Sequence, residues 1–197
     1  MRGKLNPFSS NCVSIIMEPE KGKLLISEPF ISDPAFGRSV ILLVEKNELG
    51  TVGFVLNYKL NMLVSEVLNT LPINNALYQG GPVAHDSLHF LYRGNNPVKH
   101  SIKIMTGLYW GGDFNELTTK IDSLEILPDQ IRFFIGYSGW EPGQLEFEIK
   151  ENTWIIAQGD IKSIFEFSAD KLWNRAMKSL GGEYALMANS PINPKLN

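Results

Sequence analysis

Ser39-Val40-Ile41-Leu42-Leu43-Val44-Glu45-Lys46-Asn47-Glu48-Leu49-Gly50-Thr51-Val52-Gly53-Phe54-Val55-Leu56 is the stretch from which the architecture can be read. Val40 to Val44 is apolar at every position, a pattern that suits a central strand covered on both faces rather than one with a face in water. Lys46 to Gly50 then places Asn and Gly where a tight reversal calls for positive φ, and Thr51 to Leu56 resumes the apolar run. The reading is an antiparallel hairpin inside a doubly covered sheet.

Outward from that hairpin, Lys23 to Ser27 is a third short strand. Asn61, as N-cap before Leu63, Val64, Val67 and Leu68, predicts a short amphipathic helix ending near Pro72. Leu77 to Gln79, Leu88 to Tyr92 and Ile102 to Met105 read as strands, with Gly107 to Trp110 extending or bending the last. Asp113 opens a helix carried by Phe114, Leu117, Ile121 and Leu124, with Glu116 placed to complete a capping box. Strands at Ile131 to Ile135 and Trp154 to Ala157 follow, then a helical turn at Asp160 to Phe165. An amphipathic helix runs from Ser168 through Leu180 to a Gly181-Gly182 stop. No repeat or Gly/Ser linker divides the chain. The expectation is one mixed α/β domain over residues 22–190, after an N-terminal arm of residues 1–21 and before a frayed tail, 191–197.

Composition narrows the function classes. The chain has 197 residues, 44% hydrophobic and 20% charged, ordinary globular usage that supports a proper core. Its net charge of -3 offers no general attraction to phosphate backbones or anionic membranes. The densest basic group, Arg93 with Lys99, His100 and Lys103, is too thin for a nucleic-acid surface. The single cysteine, Cys12, excludes an intramolecular disulfide and a multi-thiolate zinc site, and its apolar neighbours favour the inert thiol. Neither a secretory h-region nor a membrane span is present in the first 20 residues, so a cytoplasmic location is expected.

Each chemical motif is incomplete. Gly136-Tyr137-Ser138-Gly139-Trp140 follows a strand like a G-x-S-x-G nucleophile elbow, but Trp140 stands where the second glycine belongs. His85, His89 and His100 all precede Ser138. The alternative to a hydrolase is a structural turn. His85 and His89 would face one metal on a helix, but on a strand they lie about 13 Å apart. Gly80-Gly81-Pro82 and Gly111-Gly112 match no phosphate-loop pattern, although Gly111-Gly112-Asp113 opens a helix and leaves a weak anion site there as an alternative. Glu146 and Glu148, two apart, are no acid/base pair on one regular element and read as solvated charges. Around them, Leu145, Phe147 and Ile149 alternate like a strand while Pro142 and the Leu145/Ile149 spacing suit a helix; the pattern alone leaves both open.

Five ordered blocks carry a resemblance. They are Gly22-Lys23-Leu24-Leu25-Ile26-Ser27, Asp33-Pro34-Ala35-Phe36 with Arg38-Ser39-Val40, Gly53-Phe54-Val55-Leu56-Asn57, Gly80-Gly81-Pro82-Val83, and Gly136 through Glu146. Together, over residues 22–185, they resemble the AlgH/YqgE family of bacterial proteins. That resemblance implies an α+β fold in which a mostly antiparallel, bifurcated sheet forms a pseudo-barrel flanked by a few amphipathic helices. It also implies a helix over about 142–151. Some members have been called transcriptional regulators, without a recognisable DNA-binding motif to explain the name, and the family pattern accepts another small residue at position 138.

The resulting expectation is a non-enzymatic regulatory or binding protein with no cofactor and no metal. Its recognition surface would form where Asn57, Gly80, Gly81, Pro82, Trp140, Gln144 and Glu146 converge, since polar, glycine and aromatic residues together suit a small concave site. The partner would be a protein or a small molecule. The alternatives are a hydrolase or transferase using Ser138 or a carboxylate, and a DNA-binding regulator.

Overall fold

The structure is a computed structural model that describes residues 17–190 apart from 69 and 72. Cys12, most of the arm, Pro72 and the tail therefore lie outside the described residues. Strand β1 (Lys23–Ser27) pairs antiparallel with β2 (Val40–Asn47), which returns through β3 (Gly50–Val55) as the hairpin predicted from the quoted stretch. Its reversal is held by Asn47, whose Oδ1 accepts the Leu49 N–H at 2.8 Å.

Val40 to Val44 are each 0% exposed. Val40, Leu42 and Val44 enter one cluster with Phe54; Ile41 and Leu43 enter another with Val55 and Trp140. Helix α5 (Ala169–Leu180) lays Leu172, Trp173 and Met177 on the first face, and α3 (Gln144–Lys150) lays Leu145 on the second. Each such aliphatic side chain stabilises by about 1.5–3 kcal/mol when buried, so five in succession commit this strand to the centre.

The remaining strands are β4 (Lys59–Leu63), β5 (Ala76–Gln79), β6 (Val83–Arg93), β7 (Ile102–Met105), β8 (Leu108–Trp110), β9 (Ile131–Trp140) and β10 (Trp154–Gln158). With helices α1 (Val64–Val67), α2 (Phe114–Asp122), α4 (Ile161–Phe165) and α6 (Gly182–Met187), they make an α+β fold. The ten strands form one sheet in the order β10-β1-β2-β3-β9-β6-β8-β7, with β5 and β4 branching from β9. Among the described residues all pairs are antiparallel except β5 with β9, and the sheet does not close. Helix α2 covers a third cluster, in which Leu117 and Ile121 meet Phe90, Tyr92 and Phe133.

The branch is made at β9. Its first half, Phe133–Ile135, lies between β6 and β5, while Ser138–Trp140 pairs with β3. Gly80 stitches the fork: its N–H donates to the Ile135 carbonyl and its own carbonyl accepts the Val55 N–H, both at 2.8 Å. A side chain cannot enter here, because a Cβ on Gly80 would stand 2.3 Å from the Gly136 carbonyl oxygen. Gly136 itself has φ +67, which glycine adopts without the Cβ penalty.

Several expectations change. Gly136 to Trp140 is no turn: it is strand, because the left-handed Gly136 lets β9 continue and exchange one neighbour for another. Asn61 is no N-cap. It lies in β4, which pairs with β5, and α1 starts at Val64 with the Leu63 N–H donating to Glu66 Oε1. Asp113 caps α2 by accepting the Glu116 N–H at 2.9 Å, but Glu116 accepts from the Lys99 N–H instead of closing the box. Strand β6 begins five residues before Leu88, since Val83 already pairs with Tyr137. After α5 the chain turns at Gly181 into α6 rather than stopping.

Candidate functional site

The segment between β1 and β2 is held by Asn57, which follows β3. Its Oδ1 accepts the Val40 N–H at 2.8 Å and its Nδ2 donates to the Arg38 carbonyl at 2.9 Å. Between those bonds Arg38 takes φ +56, a left-handed conformation uncommon outside glycine and worth about 1–3 kcal/mol of strain. Its guanidinium carbon lies 4.8 Å from the centroid of the Trp173 ring and its Nη2 donates to the Ser190 carbonyl. Trp173 is anchored from behind, donating its indole N–H to the Ser27 carbonyl at 2.9 Å.

These groups wall a cavity of about 570 Å³ that Pro29, Phe30, Tyr58, Asp170 and Asn174 also line. Phe30 is 53% exposed at its edge. The Tyr58 hydroxyl donates to the Gly37 carbonyl at 2.8 Å, and burial, with the Asp33 charge adding, pushes its pKa up to about 12. It stays a neutral donor at any ordinary pH. The arrangement offers a cation stacked on an indole, an exposed ring and fixed amides, which is equipment for holding a ligand.

The other residues singled out from the sequence do not share this cavity. Trp140 and Gln144 line a shallow depression of about 630 Å³ with Leu49, Val52, Val83 and Tyr137. Glu146, on the same helix as Gln144, pairs with Lys46 at 2.6 Å, which holds its carboxyl below the usual range. Gly80 and Gly81 lie at the fork, where a Cβ on either would meet backbone at 2.3 Å. Pro82 follows them into β6.

Glu148 is not the solvated charge expected. Its Oε2 accepts the indole N–H of Trp140 at 2.9 Å and of Trp154 at 2.7 Å, while Oε1 accepts from Gln144 Nε2 at 2.8 Å. Ser138 is fully buried and its hydroxyl donates to the Gly80 carbonyl at 3.1 Å, so it braces the fork. His85 and His89 lie on β6 as strand residues. His89 packs against Phe54, Trp110 and Tyr137, and burial lowers its pKa. Among the described residues no three potential metal ligands cluster. Sequence reasoning missed Arg38, Trp173 and Phe30. Their meeting depends on α5 packing beside a loop more than 130 residues earlier in the chain.

The AlgH-like family matches residues 24–185. The chain belongs to the AlgH-like family. A UPF0301 protein of Cytophaga hutchinsonii is 44% identical over 179 residues, covering 90% of this chain and 98% of that relative. One from Chlorobaculum tepidum is 38% identical over 183 residues, covering 92% and 97%. The solution structure of AlgH from Pseudomonas aeruginosa is 28% identical with a TM-score of 0.69, covering 87% of this chain and 94% of that one. A crystal structure of a Corynebacterium diphtheriae protein shares the fold at a TM-score of 0.75 and 24% identity, covering 88% and 94%. Two of the five quoted blocks, those containing Arg38 and Asn57, meet at the Arg38 cleft. No helix among the described residues is long and apolar enough to cross a membrane.

Proposed function

We propose that this AlgH-like chain is a non-enzymatic regulatory or binding protein of the cytoplasm whose recognition surface centres on the cleft of Arg38, Asn57 and Trp173. The observation that carries this reading is Arg38, locked by Asn57 in a left-handed conformation with its guanidinium laid on Trp173. Strain of this kind collects where a side chain must be aimed. The partner, a small molecule or a protein segment, would present a carboxylate to Arg38 and an aromatic or apolar group to Phe30. Trp140, Gln144 and Glu146 offer a second, shallower contact, while Gly80, Gly81 and Pro82 support both surfaces by fixing the fork between them.

The reading is tested by titrating the ¹⁵N-labelled chain with a panel of carboxylate-bearing aromatic compounds and peptides. At least one should shift the Trp173 indole signal saturably and bind at least tenfold more weakly to Arg38→Ala. If no compound moves that signal, or if Arg38→Ala binds the active compounds equally well, the cleft is not the recognition surface.

A further inference from the structure

Arg132 lies in the first half of β9, opposite Leu91 of β6. Its neighbours Ile131 and Phe133 enter the core under α2, so the alternation of the strand turns Arg132 to the other face with Phe134. There it is only 7% exposed. Nη1 donates to the Leu56 carbonyl at 3.0 Å, and the guanidinium carbon stands 4.5 Å from the centroid of the Tyr78 ring. Among the described residues no carboxylate pairs with it, and burial lowers its pKa.

The neighbouring cations are served differently. Arg93, on the same sheet face, pairs with Asp129 at 2.9 Å and Glu166 at 3.5 Å. Lys120, the buried lysine of α2, pairs with Glu125 at 3.1 Å and Glu116 at 3.8 Å. A charge taken from water without a counterion is costly, and proteins normally pair it. Arg132 departs from that rule, and it does so on the wall of a cavity of about 150 Å³ shared with Asn75, Tyr78, Asp129 and Phe165.

The dimensions limit what can enter. A single carboxylate or phosphate group fits that volume, and a nucleotide does not. Asn75 spends its amide on the Pro128 and Ile131 carbonyls, so it shapes the wall. Asp129 shares Arg93 with Glu166, but its side chain is 68% exposed, so water and salt screen the repulsion it exerts on an anion at Arg132. The remaining N–H groups of Arg132 form the planar fork that matches two oxygens of a carboxylate or phosphate at once. We propose that Arg132 seats a small oxyanion, the carboxylate or phosphate group of a ligand, as its missing counterion in this second cavity.

The test uses the full-length ¹⁵N-labelled chain, titrated separately with sodium phosphate and sodium acetate against sodium chloride at equal ionic strength. Saturable shifts of the Arg132 Nε–H and its neighbours are expected with phosphate or acetate, and tighter binding of one identifies the group preferred. Arg132→Met should abolish the saturable shifts. Arg132→Lys, which keeps the charge and loses the fork, should weaken binding at least tenfold. Chloride reproducing the shifts, no saturation, or undiminished binding by Arg132→Met would overturn the site. Should Arg132→Met not fold, equal affinity in Arg132→Lys would overturn it instead.

Discussion

Glu148, half-buried, and Arg132, buried, are charges on different faces of one sheet, and the chain treats them in opposite ways. Around Glu148 three donors converge from Trp140, Gln144 and Trp154, and a second bond from the Glu141 N–H to Gln144 Oε1 ties the corner to the end of β9. Around Arg132 the described residues supply one carbonyl and one ring. The first is an electrostatic problem solved within the fold, and it fastens α3 to the sheet. The second has no carboxylate partner among the described residues. The difference separates candidate residues better than polarity or position in a motif: Trp140 and Gln144, attractive as site residues in the sequence, largely serve the closed corner.

The comparison breaks most plainly at Glu148. Glu148→Leu leaves two indole N–H groups without their acceptor, and hydrogen bonds to a charged group are each worth about 1.5–3 kcal/mol. We expect a loss of about 3 kcal/mol, read as a lowered urea midpoint at unchanged m-value. Glu148→Gln, which keeps an acceptor oxygen, should recover part of it. A midpoint unmoved by Glu148→Leu would show that the corner is solvated and that the contrast with Arg132 is false.

Arg132→Met sharpens the other side. It removes a hydrogen bond worth about 1 kcal/mol and a cation–π contact of similar size, but it also relieves the desolvation of an unpaired charge. In anion-free buffer these terms offset, and stability should stay within about 1 kcal/mol of wild type by urea denaturation. A loss comparable to that of Glu148→Leu would mean that the guanidinium is already neutralised by the protein.

What the sequence made legible follows the same division. The β2–β3 hairpin could be read because Val40 to Val44 is apolar on both faces and Asn47 and Gly50 mark the reversal, all of it local. The amphipathic α2 and α5 were local too. The continuation of β9 past Gly136 was not, because it depends on Val83 and β3 receiving it from elsewhere in the chain. Asn61 and Leu63 read as the start of a helix, and pairing of β4 with β5 overrides that local signal. At the candidate sites, Asn57 was found through its block, whereas Arg38 and Trp173 meet only after folding. Arg132 did leave a signal, a lone charge inside Ile131-Arg132-Phe133-Phe134-Ile135, but its missing partner shows only in three dimensions.

The smallest effect belongs to Glu146, on the outer turn of the helix that Glu148 fastens. Its bond to Lys46 spans 2.6 Å, yet the two side chains are 36% and 29% exposed, so water and salt screen the attraction. A double-mutant cycle of Lys46→Ala and Glu146→Ala should return a coupling of about 0.2–1 kcal/mol, shrinking further in high salt. The bond to Lys46 is the leading cause of the depressed Glu146 pKa, followed by a hydrogen bond from its own backbone. Because the folded pKa lies below the unfolded one, the coupling is fully present above the unfolded glutamate value, about 4.3, and fades as pH falls through the lower folded value. A coupling of several kcal/mol, or one unchanged at acid pH, would place Glu146 with Glu148 in the closed corner and remove it from the exposed surface available to a partner.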